Sequence, residues 1–380
     1  MSSPSPASRV PGPVFSAIDH AHMARALRLA ERGLYTTQPN PRVGCVIAHG
    51  ETMVGEGWHQ RAGEPHAEVF ALRAAGGRAR GATAYVTLEP CSHFGRTPPC
   101  ADALIAAGLT RVVAANEDSN PQVAGGGFAK LRAAGIAVES GLLHAAAREL
   151  NRGFFARIER GRPWLRVKLA MSLDGCTALA NGESKWITGE AARADVQRWR
   201  ARSSAILTGS GTVVADNPGL TVRLPPGGEK EFATPLRVVL DRELRTPQNA
   251  AVLDGSAATL ILHAAGARSA HAGFDRVECA AVETHDGGLD LSQVLSVLAE
   301  RGMNEVQVEA GPTLSGSLMQ SGFVDELLLY IAPVLLGDKG RPLLVFPGLE
   351  QMAQARRLRI VDQRSIGDDL RILYREIADV

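Results

Sequence analysis

The chain has 380 residues, of which 45% are hydrophobic and 21% are charged, and its formal net charge at pH 7 is +1. This composition is typical of a folded globular protein, and the length predicts two domains. The near-neutral charge gives no electrostatic sign of nucleic-acid binding, and no stretch approaches the roughly 18 apolar residues of a membrane-spanning helix.

The N-terminal segment and the cysteines indicate the compartment. Residues 1–17 contain many Ser and Pro and lack the apolar stretch of a signal peptide, so we expect a disordered tail. Five cysteines in a chain of this length do not indicate a disulfide framework. We expect Cys45, Cys176 and Cys279 to be core or incidental thiols and the protein to be cytoplasmic.

Helices and strands alternate through the first part of the chain. An apolar stripe predicts a helix over residues 20–32 that ends at Gly33. Further predicted elements are a strand at 43–48, a helix at Ala67–Ala75, a strand at 83–88, a helix at 101–107, a strand at 111–115, a helix at 128–134 and a strand at 136–139. The alternation predicts an α/β domain over residues 18–160.

His66-Ala67-Glu68, followed by Glu89-Pro90-Cys91 and then by Cys100, has the order of a zinc deaminase motif. One imidazole and two thiolates would leave the fourth zinc position to water, and zinc lowers the pKa of that water to about 7. Glu68 would then act as the general acid and base. The alternative is a pair of core or redox cysteines, but the order of the residues and the predicted strand before Pro90 favour zinc.

The spacing between the two cysteines departs from nucleobase deaminases, which usually have two residues there. Here Ser92 to Pro99 separate Cys91 from Cys100. We expect this insertion to loop out beside the metal and to contact substrate.

A polar stretch at residues 157–163 separates a second α/β domain, predicted over residues 161–380. Its predicted elements are a strand at 164–170, a helix at 190–202, strands at 205–208, Leu236–Leu240 and 260–263, a helix at 291–301, a strand at 305–309, a helix at 314–321 and a strand at 326–331.

The second domain offers weaker functional signals. No G-x-G-x-x-G follows its first strand, so a standard Rossmann site is not indicated. Gly311 ends a strand and opens a helix whose N-terminus can bind phosphate, although an ordinary turn has the same pattern. Ser210 to Thr212 and Asp216 to Pro218 fit either a cofactor crevice or a plain loop. Arg200 and Arg223 fit either a phosphate clamp or the protein surface.

Longer motifs in both halves resemble the bifunctional deaminase/reductase family of riboflavin biosynthesis, over residues 19–378. The motifs are Pro39-Asn40-Pro41, Gly63 to Glu68, the run from Thr87 to Cys100 with its long spacer, Ser172 to Gly175, Trp186 to Thr188, Gly211 to Val213, Asp216 to Pro218, and Glu309 to Thr313. The resemblance implies an N-terminal cytidine-deaminase-like α/β/α domain and a C-terminal dihydrofolate-reductase-like α/β domain.

The resemblance also implies the two reactions. The first is hydrolytic deamination of 2,5-diamino-6-(5-phosphoribosylamino)pyrimidin-4(3H)-one, with one zinc ion held by His66, Cys91 and Cys100 and with Glu68 moving protons. The second reduces the ribosyl group with NADPH and yields 5-amino-6-(5-phosphoribitylamino)uracil. Asn40 and Arg96 are expected to hold the pyrimidine or its phosphoribosyl tail.

Residues of the reductase site carry over from the family's motifs. The expected NADP contacts are Ala170, Trp186, Thr212, Asp216, Arg242, Gly311, Pro312, Thr313, Leu314, Ser315, Gly316 and Ser317. The expected substrate contacts are Ser184, Arg200, Leu220, Arg223 and Glu309, with the arginines on the phosphate. Arg242 stands where a small polar residue is expected, so it either contacts the 2′-phosphate of NADPH or displaces the usual contact. Lys168 is a candidate proton donor.

The expected partners are small-molecule substrates and further copies of the chain, without nucleic acid or membrane. Three other functions are open. A tRNA or free-nucleoside deaminase would have an unrelated second domain, a deaminase could carry an inactive reductase half, and a non-catalytic nucleotide sensor would have lost Glu68 or a metal ligand. All four residues of the zinc motif are present.

Overall fold

The computed structural model describes residues 14–92, 98–121, 124–224, 231–269, 271–346 and 348–377. Contacts within the chain divide it into two compact units, Met1–Arg152 and Gly153–Val380. The polar stretch that marks the predicted boundary overlaps the end of a helix, Arg152–Arg160. This helix belongs with the second unit because Gly153 packs directly on Asn304 and Glu305, and Arg157 donates to Asn304.

The first described helix begins inside the segment expected to be a disordered tail. Ser16 caps it, since its hydroxyl accepts the backbone N–H of Asp19 and its own N–H donates to the Asp19 carboxylate. The expected disordered tail of residues 1–17 therefore does not extend to Ser16 and Ala17, which belong to the helix. Residues 1–13 lie outside the described residues.

The first unit contains a five-stranded sheet in the order β2-β1-β3-β4-β5. Strand β1 is antiparallel to β2 and β3, whereas β3, β4 and β5 are parallel. The elements are α1 (Ala17–Ala30), β1 (Gly44–His49), β2 (Thr52–Trp58), α2 (Ala67–Ala75), β3 (Thr83–Val86), α3 (Cys100–Ala106), β4 (Arg111–Ala114), α4 (Gly126–Ala133), β5 (Ala137–Ser140) and α5 (His144–Leu150).

Helices cover both faces of this sheet. One apolar cluster joins the strands to α2, α3 and α4 through residues such as Ala71, Leu104 and Leu131. A second cluster joins the opposite face to α1 and α5 through residues such as Met23 and Ala147. The predicted α/β/α arrangement of this half is confirmed, and it places the amino ends of α2 and α3 at the same edge of the sheet.

The second unit contains a nine-stranded sheet in the order β11-β10-β9-β8-β14-β6-β15-β18-β17. The elements are α6 (Arg152–Arg160), β6 (Trp164–Ser172), β7 (Cys176–Ala178), α7 (Glu190–Ala201), β8 (Ala205–Gly209), α8 (Ser210–Asp216), β9 (Leu236–Leu240), β10 (Thr259–Ala264), β11 (Glu278–Val282), β12 (Thr284–His285), β13 (Gly288–Leu289), α9 (Leu291–Glu300), β14 (Glu305–Val308), α10 (Pro312–Gln320), β15 (Glu326–Ala332), β16 (Arg341–Pro342), β17 (Leu358–Ile366) and β18 (Asp369–Glu376).

Seven strands of this sheet, from β11 to β15, run parallel, and β18 and β17 close one end as an antiparallel pair. Strands β6, β8, β9 and β14 therefore end at one edge of the sheet, where an open α/β sheet binds ligands. Among the residues that the structure describes, every helix is too short or too polar to cross a membrane.

One face of this sheet carries buried charges beneath α7. Arg166 is fully buried and lies 2.9 Å from the carboxylate of Glu305 and 3.0 Å from that of Glu326. The guanidinium also stacks on Trp199 of α7 at 4.5 Å. Since buried charges must be paired to be tolerated, these contacts hold α7 in place over the sheet.

Candidate active sites

Three side chains with metal-binding atoms converge in the first unit. His66 immediately precedes α2, Cys91 follows β3, and Cys100 is the first residue of α3. The Nδ1 of His66 lies 3.6 Å from the Sγ of Cys91 and 3.3 Å from the Sγ of Cys100. All three ligand atoms lie within 4.8 Å of one another, and both cysteines are free thiols.

This set of donor atoms fits zinc. Metal–sulfur and metal–nitrogen bonds of about 2.3 and about 2.05 Å would place nitrogen and sulfur about 3.5 Å apart on the edge of a tetrahedron. The two observed separations, 3.6 and 3.3 Å, lie on either side of that length. One nitrogen and two sulfurs also leave the fourth position open, as in a catalytic zinc site.

The protonation of the cluster favours metal binding. The hydrogen bond from the Cys100 thiol lowers the pKa of Cys91 to about 4, and the backbone N–H of Cys100 donates to the same sulfur at 3.3 Å. Cys91 in turn raises the pKa of His66. The lowered pKa favours the thiolate form of Cys91, which is the form that binds a metal.

Glu68 lies in the first turn of α2 and is 3% exposed. Within the described residues its Oε2 is buried without a hydrogen-bond partner, and burial raises the pKa of its carboxyl group. A buried carboxylate oxygen is costly unless a ligand supplies a donor. This oxygen is consequently available to a water molecule or a substrate amino group.

Asn40 is fixed by a histidine that the sequence analysis did not single out. The Nε2 of His59 lies 3.1 Å from the Nδ2 of Asn40, and its Nδ1 lies 3.1 Å from the carbonyl oxygen of Pro65. The ring of His59 also packs edge-on against His66, with centroids 5.4 Å apart. A histidine at the end of a glycine-rich strand is a weak signal, so only the structure links it to the cluster. Arg96 lies outside the described residues.

A cavity of about 1630 Å³ lies at the carboxyl ends of the parallel strands in the second unit. All the expected substrate contacts line it, namely Ser184, Arg200, Leu220, Arg223 and Glu309. Most of the expected NADP contacts line it too, namely Ala170, Trp186, Thr212, Asp216, Arg242, Gly311, Pro312, Thr313, Leu314 and Ser317.

Ser315 and Gly316 do not line this cavity. Ser315 is fully buried, and its hydroxyl points back to the carbonyl oxygen of Ala310. A side chain at Gly316 would collide with the carbonyl oxygen of Val345. The helical period turns both residues from the cavity toward the core, and their expected contact with NADP stays a prediction.

Glu309 and Arg200 form a two-point ion pair at the inner end of the cavity. The Nε and Nη2 of Arg200 donate to the two carboxylate oxygens at 2.7 and 2.8 Å. Gln307 also donates to Glu309 at 2.8 Å. Although burial raises the pKa of Glu309, Arg200 and Lys168 lower it to about 2. Burial lowers the pKa of Lys168, which favours proton transfer from this amine.

The two arginines expected at the phosphate differ in their contacts. Arg200 already binds Glu309 and the carbonyl oxygen of Thr221. Arg223 is exposed, and within the described part of the chain its guanidinium has no ion-pair partner. Arg223 is therefore available to a phosphate, whereas Arg200 has its donors largely occupied.

Arg242, an expected NADP contact, lines the same cavity. Its guanidinium donates to the carbonyl oxygen of Gly287 and to the carboxylate of Glu243. Arg245 and His285, which the sequence analysis missed, also line the cavity. Arg245 lies in a loop and His285 in a short hairpin, neither with a recognisable motif, so the sequence pattern gave no signal for them.

Family models match both halves of the chain. One describes the cytidine and deoxycytidylate deaminase zinc-binding region and matches residues 16–116. The other describes the RibD C-terminal domain and matches residues 163–372.

Curated relatives match nearly the whole chain. The riboflavin biosynthesis protein RibD of Escherichia coli (strain K12) is 50% identical over 360 residues, which cover 93% of this chain and 98% of that protein. The protein of the same name from Haemophilus influenzae is 47% identical over 369 residues, covering 95% and 98%. A solved structure of RibD from Acinetobacter baumannii has a TM-score of 0.88 at 44% identity and covers 95% of this chain and 99% of that one.

The two sites thus define a bifunctional enzyme of riboflavin biosynthesis, with a zinc-dependent pyrimidine deaminase half and an NADPH-dependent reductase half. The fold class expected from the sequence, cytidine-deaminase-like and then dihydrofolate-reductase-like, is confirmed. The chain belongs to the RibD family. Neither an inactive reductase half nor a non-catalytic sensor finds support in these matches.

Proposed function

We propose that His66, Cys91 and Cys100 hold the zinc ion of the deaminase half and that Glu68 is its general acid and base. The observation that supports this assignment is the convergence of one ring nitrogen and two sulfurs within 4.8 Å, beside the unpartnered oxygen of a buried carboxylate. Bound zinc supplies a water molecule with a pKa of about 7.

The side chains of the protein then handle the protons and the pyrimidine. Glu68 takes a proton from the attacking water and delivers it to the leaving amino group. Its raised pKa suits this exchange, because a catalytic group works best when its pKa approaches the operating pH. Asn40, held by His59, offers a hydrogen bond to the pyrimidine.

The metal assignment is tested by elemental analysis together with both half-reactions. Purified wild-type protein should contain one zinc ion per chain and deaminate the diaminopyrimidine phosphate. Cys91→Ser should lose zinc and deamination but retain NADPH oxidation on the deaminated substrate. Full zinc occupancy in Cys91→Ser would remove Cys91 from the ligand set.

In the reductase half, NADPH supplies a hydride to C1′ of the open-chain ribosyl group. We assign Glu309, Arg200, Ser184, Leu220 and Arg223 to the substrate and Lys168 to proton donation. Lys168 lies in the cavity beside Glu309, and burial lowers its pKa. Arg223 takes the phosphate, since charge-assisted bonds to phosphate are strong.

Kinetics of an Arg223→Ala variant separate the substrate from the cofactor. The KM for the substrate should rise at least tenfold, as expected for a lost hydrogen bond to a charged group, whereas the KM for NADPH should stay within about twofold. Equal increases in both constants would move Arg223 to the cofactor side.

We assign the remaining cavity residues of the expected NADP set to the cofactor and Arg242 to the 2′-phosphate. Arg242 and Arg245 both line the cavity and share Glu243 as an ion-pair partner, so a phosphate would bind them in competition with that carboxylate. Arg242→Ser should therefore reduce the preference for NADPH over NADH, measured as the ratio of kcat/KM values. An unchanged ratio would contradict the assignment.

We further propose that the deaminase domain ends at Arg152, earlier than the expected residue 160, and that the reductase domain begins at Gly153. We also propose that the protein is a cytoplasmic homo-oligomer without nucleic-acid or membrane partners. The net charge of +1 supports the absence of nucleic acid. The second unit exposes apolar side chains, including Leu335 and Met352 at 73% and 82% exposure, which a partner copy could cover. Light scattering of the purified protein tests it.

A further inference from the structure

Glu89 is a buried carboxylate next to the metal-binding cluster that no step of the deamination uses. It is 4% exposed and stands two residues before Cys91. No lysine, arginine or histidine forms an ion pair with it within the described part of the chain. A carboxylate in such a place needs other donors, because an unpaired buried charge is strongly destabilising.

The donors are three backbone N–H groups from the segment that follows β4. The Oε2 of Glu89 accepts from Asp118 at 3.2 Å and from Gly125 at 3.0 Å, and Oε1 accepts from Phe128 at 3.1 Å. The backbone N–H of Glu89 donates in return to the carbonyl oxygen of Asn116 at 2.9 Å. The side chain and the backbone of Glu89, which precedes the Pro90-Cys91 turn, thus both form hydrogen bonds with the main chain of this segment.

The same segment packs closely on that turn. A Cβ at Gly127 would stand 1.9 Å from the carbonyl oxygen of Pro90, and one at Gly126 would stand 2.7 Å from the hydroxyl of Ser92. The approach of Gly127 to the main chain of Pro90 is possible only for glycine. The turn that carries Cys91 is therefore pressed between β3 and a glycine segment whose position Glu89 determines.

We infer that Glu89 is a positioning residue of the zinc site, which fixes the Cys91 turn by binding the main chain after β4. The inference rests on the proposed zinc ligands. Within the described residues, no hydrogen bond joins the Glu89 carboxylate to Cys91 or His66, so Glu89 acts on the position of the Cys91 sulfur through the main chain. Glutamine has nearly the same size but one carboxylate oxygen fewer, and its amide N–H groups would face backbone donors.

The test is the zinc dissociation constant of the full-length protein, measured by competition with a chromophoric chelator. Glu89→Gln should bind zinc about 10- to 100-fold more weakly, the range for losing a group that orients a ligand. NADPH oxidation on the deaminated substrate should not change. Co²⁺ in place of zinc should give shifted thiolate absorption bands in the variant, which a uniform loss of stability would not produce.

Asp19→Asn is the matched control. Asp19 is another buried carboxylate of the first unit, and it also accepts several hydrogen bonds, from Ser16, Tyr85 and Arg111. Its substitution should lower stability yet leave the zinc constant within about twofold. Equal weakening of zinc binding in both variants would overturn the inference, because the effect would then be a general one.

Gly127→Ala decides the matter if Glu89→Gln does not fold. It leaves the carboxylate intact but pushes the same segment away from Pro90, so zinc binding should weaken similarly. Wild-type affinity for zinc in either folded variant would overturn the positioning role of Glu89 and leave the proposed metal site intact. A wild-type protein that binds no zinc would instead overturn the proposed metal site.

Discussion

At the scale of single residues, the deaminase site is defined by a buried carboxylate of which one oxygen has no hydrogen-bond partner within the described residues. Most buried polar atoms in a folded protein have a hydrogen bond, so Oε2 of Glu68 is an exception. The unfavourable free energy of burying this oxygen without a donor is offset when water or the substrate amino group donates a hydrogen bond to it. Because that contact forms only with a ligand present, Glu68 contributes to chemistry more than to stability.

Replacing Glu68 with glutamine should separate zinc binding from catalysis. Glutamine retains the shape of the side chain but accepts no proton, so deamination should fall by at least about 100-fold. Zinc content, measured by elemental analysis, should remain at one ion per chain. Loss of zinc in Glu68→Gln would show that Glu68 supports the metal rather than moving protons.

The Glu309–Arg200 pair should make the stability of the second unit dependent on acid pH. The folded pKa of about 2 lies below the ordinary value of 4.5. The depressed pKa therefore stabilises the fold above pH 4.5, and this contribution disappears as pH falls toward 2. At 1.36 kcal/mol for each pKa unit, it amounts to about 3 kcal/mol.

Urea unfolding of Glu309→Gln against the parent should reveal that dependence. Trp58 is the one tryptophan of the first unit, so a Trp58→Phe background restricts the fluorescence to the second unit. The parent should lose more stability than Glu309→Gln between pH 5 and pH 2. Parallel pH profiles would mean that the folded pKa of Glu309 is not depressed.

At the scale of elements, glycines in β2 set the position of the helix that carries the deaminase residues. A Cβ at Gly57 would lie 2.5 Å from the Cβ of Phe70 and 2.6 Å from the carbonyl oxygen of Ala67. Helix α2 therefore lies against bare strand backbone. Any side chain at Gly57 must displace the amino end of α2, where His66 and Glu68 stand.

Gly57→Ala should consequently destabilise the first unit by about 1–3 kcal/mol and reduce deamination, while the reductase rate stays unchanged. Gly77→Ala is the matched control, since Gly77 is exposed just beyond α2 and has open space around it. Normal deamination in a folded Gly57→Ala protein would show that α2 tolerates the displacement.

Local patterns in the sequence predicted the elements with strong periodicity. The helix at Ala67–Ala75 and the strand at Leu236–Leu240 have the predicted limits. Strand β2 was missed because Gly55 and Gly57 lower its strand propensity, and only contact with α2 explains them. Strands β17 and β18 were missed because charged residues interrupt their apolar pattern.

The sites were predictable where chemistry restricts spacing. Zinc requires a fixed set of donors, so His66, Cys91 and Cys100 were visible in the sequence and lie together in the structure. In the sequence, Glu89 and Arg166 cannot be distinguished from charged residues at the surface. Both are buried, and their partners come from segments far along the chain, which no local pattern encodes.

At the scale of the whole molecule, each unit has its own apolar core and its own site. Removal of zinc with a chelator should therefore abolish deamination and leave NADPH oxidation on the deaminated substrate unchanged. When given the diamino substrate, the stripped protein should consume no NADPH, because no deaminated product forms for the reductase to reduce. Addition of zinc should restore deamination and the NADPH consumption that depends on it. If stripping also abolished NADPH oxidation on the deaminated substrate, the two sites would not be independent.

The size of the cavity in the second unit has a kinetic consequence. Its volume of about 1630 Å³ exceeds the roughly 300–1,000 Å³ of a pocket for one ligand, and residues assigned to both ligands line it without a dividing wall. NADPH and the substrate can thus occupy the cavity together, and hydride transfer can occur before either product leaves. Steady-state plots at several fixed concentrations of one reactant should intersect, whereas parallel lines would require an intermediate stored on the protein.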